Sequence, residues 1–268
     1  MSLLDSYNRE INYLRISVTD RCNYRCFYCM PEKGVKFIDH DKILRYEEII
    51  DFVKVAVKLG INKIKITGGE PLVRKNLIFF IKEITKINGL KDISLTTNGY
   101  YLEEYAEQLY LAGIKRINVS IDSLNPEKYK QITKYGDLNK VLKGLEICKK
   151  IGFNKIKINT VLLDINKEDI YKIEIFCKKN NFYHQIIKRM DLSRGFFDKV
   201  INGEGGKCES CNRLRLTASG YLVPCLFSNI AINIKETSYE KALKKSLKIK
   251  PLRGDKNTKF KYFNEIGG

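Results

Sequence analysis

Six strands alternate with helices between residues 11 and 189, with short connections, and few folds accept that order. Strands are predicted at 11–18, 63–67, 92–97, 116–121, 155–163 and 183–189. Helices are predicted at 47–59, 76–87, 102–112, 138–151 and 167–180, with a short extra one opening at Asn125-Pro126. Gly60, Gly113 and Gly152 stand where three of these helices should stop. Such an α/β order specifies parallel strands joined by right-handed crossovers. Periodicity leaves two forms open, an open doubly wound sheet and an incomplete barrel. The unusual residues follow strands, as functional loops do at the C-terminal face of (β/α) barrels.

The first such loop holds Cys22, Cys26 and Cys29, a Cys-x3-Cys-x2-Cys pattern. Three clustered thiolates can hold three corners of a [4Fe–4S] cube and leave one iron open. Half a zinc site or a run of buried thiols is the bland alternative. Cys208, Cys211 and Cys225 form a second triad, Cys-x2-Cys-x13-Cys. Zinc competes with a cube there, because Cys3His sites are common. Only His40 and His184 exist to complete such a site, and neither is near in sequence. Cys148 and Cys177 stand alone in helical stretches and read as ordinary buried thiols. Residues 1–12 lack the apolar segment of a signal peptide, and no apolar run is long enough to span a bilayer. A cytoplasmic, reducing location is therefore expected, where clustered thiols bind metal rather than pair as disulfides.

Charge bounds the ligand. Lys and Arg number 49 against 31 Asp and Glu, a formal net charge of +18. That balance suits nucleic acid, a phosphate-rich small molecule or an acidic membrane. Solvated lysines on helix faces explain part of it equally well. No block of consecutive Lys/Arg marks a nucleic-acid tail, so neither a nucleic acid nor a membrane is expected as partner.

The loop with Cys22, Cys26, Tyr28 and Cys29 resembles the signature of radical S-adenosylmethionine (SAM) enzymes. The resemblance implies a partial (β/α)6 barrel over residues 1–190, open on one side. A linker at 191–207 and a small C-terminal cluster segment at 208–268 would follow, the segment covering the open side. It also implies SAM chelated by the open iron and cleaved by one electron to a 5′-deoxyadenosyl radical. Gly68-Gly69-Glu70-Pro71, one strand later, is similar to the superfamily's methionine-binding loop. Tyr28, Gly69, Glu70, Thr96, Ser120 and Met190 are the SAM contacts this implies.

Four stretches narrow the resemblance: 14–22, 66–74, 208–227 and the terminal Gly267-Gly268. Together they resemble the GTP 3′,8-cyclase family of molybdenum cofactor biosynthesis. That family implies GTP as substrate, two [4Fe–4S] clusters, and a bond formed from ribose C3′ to guanine C8. It also implies a downstream cyclic pyranopterin monophosphate synthase and an electron donor such as flavodoxin or ferredoxin. Arg15, Lys63, Lys65 and Lys157 match cations expected on the triphosphate, and Arg213 and Arg215 match a pair beside the substrate. Gly267 and Gly268 match a tail that enters the active site. Two departures fall on the substrate side. Gln185 and Lys188 stand where the family carries Arg and Glu, and the stretch between Met190 and Cys208 is shortened. The alternative is a divergent two-cluster radical SAM enzyme acting on a peptide or another nucleotide. A non-catalytic Fe–S or zinc module that binds nucleic acid leaves the Gly-Gly-Glu-Pro loop and the diglycine without a role.

Overall fold

The structure is a computed structural model that describes residues 3–192, 195, 197–254 and 258–267. β1 (Tyr13–Ser17), β2 (Lys63–Thr67), β3 (Asp92–Thr97), β4 (Arg116–Ser120), β5 (Lys155–Leu162) and β6 (Tyr183–Lys188) lie side by side and parallel, in chain order. The crossovers are α1 (Tyr46–Leu59), α2 (Leu77–Thr85), α3 (Leu102–Leu111), α4 (Pro126–Thr133) with α5 (Leu138–Ile151), and α6 (Asp169–Asn180). This is the partial (β/α)6 barrel. Local chemistry sets its boundaries. Gly60 ends α1 at φ 125°, which a residue with a Cβ adopts only under strain. Asn125 and Asp137 cap α4 and α5 by accepting two backbone N–H bonds each.

The strand sequences explain which face is which. β1 reads Tyr-Leu-Arg-Ile-Ser, β2 Lys-Ile-Lys-Ile-Thr, and β5 begins Lys-Ile-Lys-Ile-Asn. Side chains alternate between faces along a strand. Leu14, Ile16, Ile64, Ile66, Ile156 and Ile158 are therefore on one face, where they share a core with Ile49, Phe52, Phe80 and Val141 of the helices. Arg15, Lys65 and Lys157 are on the other face and line the concave interior. The barrel interior is thus polar, and the apolar core lies between strands and helices.

The C-terminal segment does more than lie across the opening. β7 (Arg213–Leu216) pairs in parallel with β1 on the side away from β2. β8 (Tyr221–Val223) and β9 (Ile232–Asn233) follow antiparallel, giving one sheet ordered β6-β5-β4-β3-β2-β1-β7-β8-β9. α7 (Tyr239–Lys248) packs on α1, and α8 (Phe263–Ile266) precedes the tail. At the other edge, Ile201 pairs with Ile186 of β6 in an antiparallel bridge. The Arg213 guanidinium then donates to the Glu204 carbonyl, so residues 200–213 link the two edges of the opening. Among the described residues no helix is long and apolar enough to cross a membrane.

One buried ion pair ties the N-terminus to this addition. Arg9 bonds Asp5 at 2.7 Å and also donates to the carbonyls of Cys208, Pro251 and Leu252. Both side chains are nearly inaccessible, so removing Asp5 strands a buried cation. Asp5→Ala is expected to cost ~3–5 kcal/mol in urea unfolding. A cost below ~1 kcal/mol would mean solvent screens the pair.

Candidate active site

One cavity of about 650 Å³ fills the barrel, and all six clustered cysteines line it. The first triad sits in the loop after β1. Cys29 and Met30 donate backbone N–H to the Cys26 carbonyl, which winds the loop into a turn. Burial pushes the Cys22 and Cys29 thiols up to about 12, and it raises Cys26 well above its ordinary value too. Thiols so placed give up their protons to a metal rather than to water.

The second triad lies at the other end of the same strands. Cys208 and Cys211 precede β7, and Tyr13 N–H bonds the Asn212 carbonyl. Cys225 follows β8, which runs back antiparallel. One triad therefore stands past Ser17 and the other beside Tyr13, separated by roughly 13 Å of strand at ~3.3 Å per residue. Burial raises the Cys211 thiol, but Lys250 and Arg213 outweigh it and hold the thiol below its ordinary value. Among the described residues no three His, Cys, Asp or Glu side chains close on a single ion. A cube asks for a different arrangement, one thiolate at each of three irons.

Between the triads runs a row of cations. Parallel register sets Lys65 beside Arg15 and Arg15 beside Arg215, across β2, β1 and β7. Burial, then Arg15, Lys157, Arg116 and Arg213, drive Lys65 well below its ordinary value. Burial and the same two neighbours, Arg15 and Arg213, bring Arg215 to about 9. The Lys157 ammonium donates to Gln185 Oε1 at 3.1 Å. Lys63 is exposed at the start of β2 and is not among the lining residues, which corrects its expected place on the triphosphate. It shares a strand face with Lys65, but its position at the outer end leaves it in solvent. Lys188 pairs with Asp198 at 2.6 Å, so its charge is matched within the protein.

The expected SAM contacts divide. Tyr28, Gly69, Thr96, Ser120 and Met190 line the cavity. Glu70 does not. It is fully buried, and its carboxylate accepts from Leu72 N, Thr97 Oγ1 and Asn98 N. Burial pushes it up to about 7 against those three donors. Glu70 thus joins the loops after β2 and β3, with Oε1 accepting two of these bonds and Oε2 one. Gly68 and Gly69 press on the Cys loop. A Cβ on Gly68 would stand 2.7 Å from the Thr19 carbonyl oxygen, and one on Gly69 would overlap the Asp20 and Arg21 carbonyls. Gly69 N–H also donates to Thr19 O at 2.7 Å.

Several polar contacts around the cavity, and the lining residues Asn98 and Asn159, carried no mark in the sequence. The Tyr28 hydroxyl donates to Asp122 Oδ2 at 2.6 Å, tying the Cys loop to the loop after β4. Asn98 Nδ2 donates to Asn23 Oδ1 and holds the same loop from β3. Asn159 Oδ1 is buried on the cavity wall without a hydrogen-bond partner, an acceptor left for a ligand. The position of each polar residue at a strand end is a sequence signal, but its partner is not. Gly267 has φ 74° and sits against Ser17 and Thr67, with its carbonyl 3.3 Å from Arg215 Nη1. Gly268 lies outside the described residues.

A parallel partial barrel with a three-cysteine loop after its first strand defines a radical SAM protein. The family profile described as the Radical SAM superfamily matches residues 16–177. As a member, the chain takes SAM and a [4Fe–4S] cluster. The GTP 3′,8-cyclase of Petrotoga mobilis is 38% identical over 325 residues, covering 99% of this chain and 100% of that one. That of Nautilia profundicola is 40% identical, covering 92% of this chain and 91% of its own. The chain belongs to the GTP 3′,8-cyclase family. The first alignment runs over 325 positions against 268 residues here, so the relative carries segments this chain lacks. Among solved structures, Streptococcus suis SuiB bound to S-adenosylmethionine aligns with TM-score 0.69 at 13% identity, over 88% of this chain and 66% of that one. Native anSMEcpe with bound AdoMet aligns with TM-score 0.64 at 20% identity, over 88% and 84%. These two show the shared fold.

Gly69→Ala forces the loop after β2 off the Cys loop. It is expected to lower stability by ~1–3 kcal/mol. It should also reduce iron retained at the first triad, read by iron assay in a Cys208→Ala/Cys211→Ala background. Unchanged iron and melting temperature would show that the two loops yield freely.

Proposed function

We propose that the chain converts GTP to (8S)-3′,8-cyclo-7,8-dihydroguanosine 5′-triphosphate, using SAM and two [4Fe–4S] clusters. The reading rests on the cation row set midway between two thiol triads in one cavity. Buried cations that crowd one another call for a polyanion, and a triphosphate brings roughly four negative charges. Lys65, Arg15 and Arg215 hold that anion, with Lys157 and Arg213 at its flanks. Cys22, Cys26 and Cys29 hold the cluster that binds SAM, and Cys208, Cys211 and Cys225 hold the second. Gly69, Thr96, Ser120 and Met190 line the SAM end. The first cluster and SAM, when bound, would supply the one-electron chemistry that removes hydrogen from ribose C3′; the C3′–C8 bond then replaces the guanine C8=N7 double bond, and one electron and one proton complete the 7,8-dihydro product. Phe197 and Phe227 stack at 4.8 Å beside the second triad and give the base an apolar wall. Arg215 reaches the Gly267 carbonyl and positions the tail against the substrate. The product passes to a cyclic pyranopterin monophosphate synthase, and a low-potential carrier such as flavodoxin or ferredoxin supplies electrons.

Anaerobic reconstitution with iron and sulfide, followed by SAM, dithionite and GTP, tests the reading. About eight irons per chain, 5′-deoxyadenosine and cyclised GTP are expected. SAM cleavage with GTP unchanged would move the assignment to another substrate, a peptide or a different nucleotide.

The cations give a pH signature. Burial and its cationic neighbours hold Lys65 well below its ordinary value in the free protein, and a bound polyanion raises it. GTP binding should therefore take up protons, and weaken as rising pH deprotonates Lys65. Calorimetry in two buffers of different ionisation heat reads the uptake, and net release contradicts it. Lys65→Met should weaken GTP binding ~10–100-fold, the worth of a charged hydrogen bond, with SAM binding unchanged. Equal loss of both ligands would mark general unfolding.

A further inference from the structure

Lys250, just past α7, is 2% exposed. Its ammonium spends all three donors inside the protein. It donates to the Pro224 carbonyl at 2.6 Å, the Arg213 carbonyl at 2.8 Å and Cys211 Sγ at 3.5 Å. No carboxylate of the described residues makes an ion pair with it, the neighbouring acid being the thiol. A cation withdrawn from water costs several kcal/mol unless an anion faces it. The segment is also pinned. Arg9 grips the carbonyls of the next two residues, Pro251 and Leu252, and that of Cys208 on the triad itself. The lysine is therefore held against the second triad and away from solvent.

Among the described residues no lysine or arginine hydrogen-bonds a sulfur of the first triad. Arg21 and Arg25 adjoin its cysteines in sequence, but Arg21 donates to Asp20 and the Ile38 carbonyl, and Arg25 to the carbonyls of Cys22 and Tyr24. Net charge and hydrogen bonds to sulfur are among the terms that set a cluster's potential. The two triads therefore offer different electrostatic seats.

We infer that Lys250 is the built-in counter-charge of the second cluster, a positioning residue that fixes Cys211 and favours the cluster's reduced form. This rests on the two-cluster reading above. An added electron makes the thiolate-bound cluster more negative, so a fixed cation at van der Waals range stabilises the reduced state more than the oxidised one. The consequence is an ordering: the second cluster accepts an electron at a higher potential than the same ligand set without the lysine.

The test uses the full chain loaded with iron and sulfide, with EPR at poised potentials and SAM added to mark the first cluster's signal. Wild type is compared with K250Q, K250M and K250R. Gln keeps donors for the two carbonyls and loses the charge, so it separates electrostatics from stapling. K250Q and K250M should lower the second cluster's reduction equilibrium about tenfold, or about 59 mV for one electron. The first cluster should stay fixed, and K250R should restore the wild-type value. An unchanged second potential in K250Q overturns the inference, and so does an equal shift of both clusters. Should K250M fail to fold, the Gln and Arg variants decide. A wild-type chain that takes up about four irons, with zinc at Cys208, Cys211 and Cys225, overturns the two-cluster reading itself, and that is seen before any variant is measured.

Discussion

The parallel register of β1 with both its neighbours is the constraint from which the site follows. β1 pairs with β2 on one side and β7 on the other, residue for residue. Because strand side chains alternate, one shared register decides that Arg15, Lys65 and Arg215 meet on the inner face while Leu14, Ile64 and Leu214 are buried on the other. A slip of one residue in β7 would bury Arg215 among the helices and turn Leu214 into the cavity. The same register decides where the thiols stand. β7 runs with β1, so the triad that precedes β7 lands at the opposite end from the triad that follows β1. The cavity acquires two ends and a charged middle from strand direction alone.

Holding cations in that middle works against stability. Desolvation and mutual repulsion both lower the pKa of Lys65, and among the described residues no carboxylate pairs with it. The fold tolerates this because the apolar faces of the same strands are complete: Leu14, Ile16, Ile64, Ile66, Ile117 and Ile158 are all fully buried. The stabilising layer and the binding layer are thus two faces of one sheet. Strain of this kind is relieved by ligand, which is how a binding site differs from an ion pair that the protein satisfies for itself, such as Lys188 with Asp198.

Much of the architecture was readable from the chain, and the reasons differ by element. Strand and helix periods are local properties, so the six-fold alternation and the helix stops at Gly60 and Gly152 emerge directly. Both cysteine triads are local too. What is non-local was not readable. Nothing in Arg-Leu-Arg-Leu says that β7 adds to β1 rather than lying over the opening. Lys63 and Lys65 have the same parity on one strand, and depth along it separates the exposed one from the buried one. Glu70 sits in a loop motif that marks it as a ligand contact, and nothing in that motif shows that it also ties Leu72, Thr97 and Asn98 together. Lys250 was invisible for a statistical reason. In a chain with 49 Lys and Arg, one more lysine after a helix reads as solvated surface.

The shortened substrate side follows from the same geometry. A partial barrel must cover the gap between its first and last strands, and relatives carry more chain than this protein does. Here the gap is bridged from both edges at once: β7 widens the sheet at β1, and Ile201 pairs onto β6 at Ile186. The distance left is small enough for one hydrogen bond, from the Arg213 guanidinium to the Glu204 carbonyl. Gly203 lies over Gln185, where a Cβ would overlap the amide, so the covering segment can rest directly on β6. Gln185 in turn holds Lys157 toward the cavity. A glutamine beneath a glycine keeps the segment close and accepts from the lysine, whereas a longer arginine there would need more room above it and would offer Lys157 no acceptor.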